Sequence, residues 1–231
     1  MFMFPLEGQN PTRHTHFVLW SIISVCTGLF FATLVIGKEN VFLQWGYLPA
    51  SSENVNILTS MFLHGGHWHL IGNMFFLWMF GDNIEDVVGH FLFLLCYVVC
   101  GVLATLTYYG FHPDSIIPLI GASGAISGIA GMYLVFFPRV SADIVIFIFR
   151  WEINRIKTTA IVAIGCWFAM QVMLGLLIEA TPLGEYFRIA FSAHVGGFVA
   201  GVALGLIFLR LGYVDRYFQG GKKHWLFGYA I

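Results

Sequence analysis

The chain has 231 residues, of which 58% are hydrophobic and only 10% are charged. Because about a quarter of the residues of a water-soluble domain are charged, this composition excludes such a domain and indicates an integral membrane protein. The formal net charge of −1 at pH 7 also provides no basic surface for nucleic acid.

Six apolar stretches predict membrane-spanning helices, because about 20 apolar residues cross the core of a bilayer. They cover residues 17–36, 68–84, 91–110, 123–137, 160–178 and 189–209. The fourth apolar stretch starts at residue 115, but Pro118 and Gly121 interrupt it, so we expect its helix to begin only near Ser123. The sequence therefore predicts an all-α bundle of six transmembrane helices.

The segments outside these helices predict the organisation of the chain. Residues 1–16 are interpreted as an N-terminal tail, residues 17–210 as one membrane domain and residues 211–231 as a C-terminal tail. Residues 37–67 are too apolar for a solvated linker and too interrupted by Gly and Pro to span, which predicts a long first loop at the membrane interface. A second interfacial segment is expected at residues 140–159, where an apolar run adjoins basic residues.

The basic residues predict the orientation. With both termini inside, the inner segments hold nine of the 11 Lys and Arg residues, and the outer loops hold two, Lys38 and Arg188. Because cytoplasmic loops carry the excess of positive charge, we expect both termini in the cytoplasm.

Four polar side chains fall at one predicted depth, near the outer ends of the second, fourth and sixth helices. Ser123 precedes Pro138 by 15 residues, or about 22 Å of helix, which puts it roughly 8 Å below the outer edge of a core about 30 Å thick. The same arithmetic puts His194 and His69 at a similar level, with Asn73 one turn deeper. Polar groups at this depth must face protein or water, since lipid offers no hydrogen bonds.

These residue types suit acyl transfer. A neutral His194 can accept the proton of Ser123 and return it to a leaving amine. His69 and Asn73, spaced i and i+4, share a helix face and can donate together to an oxyanion, as can the backbone N–H of Ser123 at the helix start. Because no Asp or Glu is placed to act as a third member, we expect a Ser-His dyad.

Each of these features also has a structural interpretation. Small residues spaced four apart, such as Ser123 and Ser127, are typical of close helix packing in membranes. A lone intramembrane histidine is more often a packed, hydrogen-bonded residue than a catalyst. Gly197 and Gly201 belong to a small-residue stripe that should draw the sixth helix against the fourth and so set the distance from Ser123 to His194.

Two further polar features receive only structural interpretations. His64, His67 and His69 lack the spacing and the Cys partners of a zinc site, so we predict no metal and no cofactor. Gln171 is an isolated polar residue of the fifth helix and is interpreted as a hydrogen-bonded core amide.

Four motifs occur together in a defined order. They are His69-Leu70-Ile71-Gly72-Asn73, Gly81-Asp82-Asn83-Ile84-Glu85-Asp86-Val87-Val88-Gly89, Gly121-Ala122-Ser123-Gly124 and Ala193-His194-Val195-Gly196-Gly197. Over residues 17–210 this combination resembles the rhomboid intramembrane serine proteases of the six-span type. The resemblance implies Ser123 as nucleophile, His194 as general base and acid, and His69 and Asn73 as oxyanion-side residues. The residues assigned to structural support are Gly121, Gly124, Glu85, Gly89, Gly197 and Gly201.

The resemblance also implies a function. Members of this type cleave transmembrane segments of other membrane proteins near the outer membrane face, so transmembrane substrates and the lipid bilayer are the expected partners, and the cell membrane of a prokaryote is the expected location. The fifth helix and the loop at residues 179–188 would be the mobile side through which substrate and water enter. Ser127 stands where several bacterial members have an aromatic residue.

Two other function classes stay open at this stage. A catalytically silent scaffold of the same fold would bind transmembrane clients without cutting them. A channel or transporter has no support beyond the six predicted spans, because no pair of broken helices occurs in matching halves of the chain.

Overall fold

A computed structural model of the chain describes residues 2–7, 12–51, 56–148, 151–179 and 190–219, most of which are helical. The helices are α1 (Phe17–Ile36), α2 (Lys38–Trp45), α3 (Asn56–Thr59), α4 (His67–Val88), α5 (His90–Phe111), α6 (Ser123–Phe136), α7 (Ala160–Glu179), α8 (Phe191–Arg210) and α9 (Tyr213–Gln219). A 3-10 turn covers Ser60–Phe62. The strands are β1 (Phe2–Glu7), β2 (Ser141–Ile148) and β3 (Trp151–Thr159).

Four of the described helices are long and apolar enough to cross a membrane. They are α1, α5, residues Ala160–Leu177 of α7, and α8, which correspond to the first, third, fifth and sixth predicted spans. Helix α6 has only 14 residues, and α4 carries three acidic residues near its C-terminal end. The chain is thus a mostly helical membrane protein with four candidate spans, and the count of six stays a prediction.

Helix α6 lies at the centre of the bundle. It begins at Ser123, as the interruption by Pro118 and Gly121 predicts. At 1.5 Å per residue its 14 residues extend about 21 Å, less than the thickness of a bilayer core. Every residue from Gly124 to Tyr133 is buried, because α4, α5 and α8 pack around the helix. A short, enclosed helix therefore carries Ser123 in its first turn.

Helices α6 and α8 approach closely because each presents glycines to the backbone of the other. A Cβ atom at Gly197 would overlap the carbonyl oxygen of Gly124, and one at Gly201 would overlap that of Gly128. On its other side, Gly124 lies against Ala104 of α5. The predicted small-residue stripe therefore packs directly on α6 and brings the first turns of the two helices together.

The segment between α1 and α4 forms backbone hydrogen bonds with the residues that immediately precede α6. Tyr47 and Leu119 exchange two backbone hydrogen bonds, of 3.0 and 2.7 Å. The N–H of Gly121 donates to the carbonyl of Ser60 at 2.9 Å. The turn that leads into Ser123 is therefore held from outside the helix. The location of this first loop at the membrane interface stays a prediction.

The all-α prediction is incomplete, because the described residues include a three-stranded antiparallel sheet of order β1-β2-β3. Its strands fall in the predicted tail at residues 1–16 and in the predicted interfacial segment at residues 140–159. Ile144, Val145 and Ile146 are β-branched and favour strand over helix. The partner strand β1 pairs Pro5 with Ile144, far away in the sequence, so no local pattern indicated the pairing.

Glu85 and Gly89 lie in helix junctions at the C-terminal end of α4. The carboxylate of Glu85 accepts the backbone N–H of Val18 at 3.0 Å and that of Leu19 at 2.8 Å, in the first turn of α1. Gly89 has a φ of +83°, which glycine adopts without strain, so that α5 begins immediately after α4. This end of α4 is opposite to the end that holds His69.

Candidate functional site

The side chains of Ser123 and His194 meet at the first turns of α6 and α8. Nε2 of His194 lies 2.8 Å from Oγ of Ser123, which is hydrogen-bond distance. Both residues are partly buried and line one cavity. The arrangement allows the hydroxyl to give its proton to the imidazole.

The cavity has a volume of about 1280 Å³ and is lined by residues of α4, α5, α6, α7 and α8. His69, Asn73 and Gln171 line it together with the Ser123–His194 pair. Pockets for small molecules usually measure about 300 to 1,000 Å³, so this cavity is larger than most of them.

His69 directs a hydrogen-bond donor towards the turn before Ser123. The N–H of Gly65 donates to Nδ1 of His69 at 3.4 Å. A neutral imidazole that accepts at Nδ1 carries its own proton on Nε2. That Nε2 lies 2.8 Å from the point that a Cβ atom would take at Gly121. The donating nitrogen of His69 thus faces the backbone that leads into α6.

Asn73 provides a second donor in the same place. It lies one helical turn beyond His69 and is 7% exposed. Its Nδ2 atom is buried, without a hydrogen-bond partner among the described residues, and lies 3.8 Å from the same Cβ position at Gly121. Buried amide donors are nearly always hydrogen-bonded, and this one is an exception. It is therefore available to a ligand in the cavity.

The turn from Gly121 to Ser123 requires glycine at its first position. It ends at the first residue of α6, where the backbone N–H groups have no acceptor within the helix. Gly121 has a φ of +126°, and a side chain there would strike the ring of His69. The backbone N–H of Ser123, as the first residue of α6, has no acceptor within its own helix and lies at the positive end of the helix dipole. This N–H is a third hydrogen-bond donor, next to the hydroxyl of Ser123.

Gln171 belongs to this site, although sequence reasoning assigned it to the core. Its Oε1 atom lies 3.0 Å from Nδ1 of His194. Its interpretation as a hydrogen-bonded amide is correct, but its partner is the histidine that faces Ser123. An isolated polar residue within the apolar stretch of residues 160–178 was the available signal, and the sequence alone did not reveal which way that residue faces.

The remaining predicted site residues contribute to helix packing. Gly124, Gly197 and Gly201 form the contact of α6 with α8. Among the described residues, no three His, Cys, Asp or Glu side chains group closely enough to hold a metal ion. Residues 180–189, which include most of the predicted entry loop and Arg188, lie outside the described residues, as does the chain after residue 219.

Comparison with known proteins gives one family. Residues 51–211 match the family model of the Rhomboid domain. The chain is 30% identical over 167 residues to RHOMBOID-like protein 6, mitochondrial, of Arabidopsis thaliana, covering 72% of this chain and 48% of that protein. It is 30% identical over 172 residues to Rhomboid protein 1, mitochondrial, of Saccharomyces cerevisiae, covering 73% and 45%.

For a third relative, the alignment covers a larger share of that protein's length. Rhomboid-like protein 11, chloroplastic, of Arabidopsis thaliana is 26% identical over 207 residues, covering 86% of this chain and 67% of that protein. The chain spans about half the length of the first two relatives. The names of all three relatives refer to organelles, so the prediction of a prokaryotic cell membrane has no support from them.

The family model covers more than half of the chain, and its range contains all four sequence motifs. The chain therefore belongs to the rhomboid family.

Proposed function

We propose that the chain is an intramembrane serine endopeptidase that cleaves transmembrane segments of other membrane proteins. The observation that carries the proposal is the 2.8 Å contact between Oγ of Ser123 and Nε2 of His194 within one cavity. Membership of the rhomboid family supports the same activity. In this proposal Ser123 is the nucleophile, and His194 is the general base and then the general acid.

The reaction proceeds in two halves. Oγ of Ser123 attacks the carbonyl carbon of the scissile peptide bond while its proton passes to Nε2 of His194. The imidazolium then gives this proton to the leaving amine as the C–N bond breaks, which leaves an ester on Ser123. A water molecule, deprotonated by the same nitrogen of His194, hydrolyses the ester and restores the hydroxyl.

Three neutral donors stabilise the oxyanion of the tetrahedral intermediate. They are Nε2–H of His69, Nδ2–H of Asn73 and the backbone N–H of Ser123. Their support is the proton position on His69, the unpartnered amide of Asn73 and the open start of α6. Removal of one such donor from an enzyme lowers kcat by about 10²- to 10³-fold. A site without formal charges also avoids the cost of a buried ion in the membrane.

The depth of Ser123 supports a transmembrane substrate. Helix α6 is too short to cross the bilayer core, so its first turn lies below the membrane surface when its other end is at the inner edge. A peptide bond at that depth belongs to a membrane-spanning segment. The segment must unwind locally before attack, because its helical carbonyls are already hydrogen-bonded. We place cleavage near the outer face, with the termini in the cytoplasm, from the distribution of basic residues.

The test measures cleavage of a transmembrane substrate by the purified protein in detergent and in proteoliposomes. Ser123→Ala should lower the rate by at least about 10⁴-fold, because it removes the nucleophile. A fluorophosphonate should label the wild-type protein at Ser123. Ser127→Ala is the matched control: the Ser127 hydroxyl donates to the carbonyl of Ser123 at 2.7 Å, within α6, and takes no part in the proposed reaction. Its rate should stay close to that of the wild type.

Other outcomes contradict the proposal. Undiminished cleavage by Ser123→Ala, or failure of the fluorophosphonate to label Ser123, overturns the assignment of the nucleophile. Stable binding of several transmembrane clients without cleavage would indicate a silent scaffold. Ion flux in liposomes that survives the loss of both Ser123 and His194 would indicate a channel or transporter.

A further inference from the structure

The imidazole of His194 has a polar partner at each of its two nitrogens. Nε2 contacts Oγ of Ser123 at 2.8 Å, and Nδ1 contacts Oε1 of Gln171 at 3.0 Å. Ser123 belongs to α6, His194 to α8 and Gln171 to α7. The ring therefore joins three helices through two hydrogen bonds.

With Oε1 of the Gln171 amide facing the ring, the two contacts assign the proton of His194 to one nitrogen. A neutral imidazole has one N–H and one lone pair, on different nitrogens. The amide oxygen of Gln171 can only accept, so Nδ1 of His194 must donate to it. Nε2 is then left with its lone pair directed at the hydroxyl of Ser123. In the opposite tautomer an N–H would face the hydroxyl, and the imidazole could not act as a base.

We infer that Gln171 is a positioning residue that selects the reactive tautomer of His194. The inference deepens the proposed function and rests on it. Gln171 does not contact the reacting atoms and acts only through the imidazole. In serine proteases with a triad, an enzyme whose histidine is held in the wrong tautomer loses about 10⁴-fold in kcat, so the choice of tautomer is important for the rate.

No other described side chain near the ring supplies this function. Phe191 packs its edge near the ring, with centroids 6.5 Å apart, and an aromatic edge does not select the protonated nitrogen. Ser127 donates its hydroxyl to the backbone of Ser123 instead of the imidazole. An amide also suits the location, because it orients the ring without placing an unpaired carboxylate in the membrane.

The experiment compares the wild-type protein with Gln171→Met, which keeps the length of the side chain and removes the acceptor. The tautomer of His194 is determined from ¹⁵N NMR spectra of histidine-labelled protein in nanodiscs, with the His194 signal assigned by its loss in His194→Ala. Cleavage of the transmembrane substrate gives kcat and KM. Met170→Leu is the matched control, because the neighbouring Met170 of α7 is 44% exposed.

In the wild type we expect the proton on Nδ1 and an unprotonated Nε2. Gln171→Met should shift the population towards Nε2–H and lower kcat about tenfold with KM unchanged, because a hydrogen bond of ordinary strength is worth about a factor of ten in such an equilibrium. Met170→Leu should change neither the spectrum nor kcat. If Gln171→Met does not fold, the wild-type spectrum tests the inference by itself, because it shows which nitrogen of His194 carries the proton.

The two proposals fail in different ways. A wild-type protein that neither cleaves nor reacts with a fluorophosphonate overturns the proposed function. A wild-type protein that cleaves but carries its proton on Nε2 of His194 overturns only the role of Gln171. A Gln171→Met variant that keeps the wild-type kcat and a protonated Nδ1 of His194 also overturns only the role of Gln171.

Discussion

The two ends of helix α4 hold polar side chains in opposite states of hydrogen bonding. Near its start, Nδ2 of Asn73 is buried beside the cavity without a partner among the described residues. Near its end, the carboxylate of Asp86 accepts from the backbone N–H of Arg13 at 2.8 Å, from the backbone N–H of His14 at 3.0 Å and from the hydroxyl of Tyr217 at 2.8 Å. At one end the amide of Asn73 keeps a donor open, and at the other both oxygens of the Asp86 carboxylate accept hydrogen bonds.

The neighbouring Glu85 shows the same saturation. Its carboxylate accepts two backbone N–H groups of α1 and also contacts Nδ1 of His90 at 2.6 Å. A buried group with several partners stabilises the fold, whereas a buried donor left open costs stability unless a ligand uses it. Together with the proposed function, the comparison predicts that the C-terminal end of α4 contributes to stability and the N-terminal end to the reaction. Mutations at the two ends test this division.

Among variants at the two ends of α4, Asn73→Ala should have the largest effect on kcat. Loss of one oxyanion donor should lower kcat about 10²- to 10³-fold with little change in stability, because Nδ2 of Asn73 has no hydrogen-bond partner to lose among the described residues. Asn83→Ala is the matched variant in the same helix: Nδ2 of Asn83 donates to Asp82 at 2.8 Å. It should lower the melting temperature and leave kcat per folded molecule near the wild-type value. Equal effects of the two variants on kcat would contradict the division.

Glu85→Ala should have the largest effect on stability. Hydrogen bonds to a charged group contribute about 1.5 to 3 kcal/mol each, so removing this carboxylate should cost about 3 kcal/mol or more in the free energy of unfolding. Fluorophosphonate labelling of the fraction that remains folded should proceed at the wild-type rate. Glu39→Ala removes an exposed carboxylate of α2 and should change stability by less than about 0.5 kcal/mol. Slower labelling in folded Glu85→Ala would show that the two ends of α4 are coupled.

The parts of the fold that could be predicted from the sequence depend on local signals. Helix α1 has the bounds of the first apolar stretch, because charge and composition change at both of its ends. The start of α6 at Ser123 follows from Pro118 and Gly121 just before it. Counting residues from each inner helix end placed Ser123 and His194 at one depth, and their side chains do meet.

The parts that could not be predicted depend on tertiary packing. The pairing of β1 with β2 joins segments far apart in the sequence, and nothing local indicates it. Gln171 lies on α7, which is apolar on every side, so the sequence does not reveal which face of that helix packs against α8. Asn73 could be placed near Ser123 by depth, but the open state of its amide follows only from the packing around it.

A pH effect is expected from His64, a 1% exposed histidine just before α4. Burial, with a further contribution from His69, lowers the pKa of His64 from its ordinary value of 6.5 to about 4. As the pH falls, the unfolded chain takes up this proton near 6.5 and the folded chain only near 4. The stability is therefore complete above pH 6.5 and declines between 6.5 and about 4. Thermal unfolding in detergent should show a midpoint that falls by roughly 10 °C over this range.

Removing the buried ring tests this origin of the pH dependence. His64→Phe should flatten the decline, because no proton can then bind at that position in either state. His67→Phe is the control on an exposed ring three residues further on, and it should keep the wild-type decline. If the decline is equally steep in His64→Phe and in the wild type, another group causes it.

The smallest expected effect is that of Tyr217→Phe, which removes one of the hydrogen bonds to Asp86. Burial and the bond to Asp86 raise the pKa of Tyr217, so its hydroxyl keeps its proton and donates at 2.8 Å. The ring also supports the guanidinium of Arg13, 4.1 Å from its centroid, and phenylalanine keeps that contact. The loss should therefore be about 1 to 2 kcal/mol in stability, with kcat unchanged. Tyr213→Phe, in the same helix, leaves the bonds to Asp86 intact and should be close to neutral. A lower kcat in Tyr217→Phe would mean that Asp86, at the far end of α4, influences the cavity.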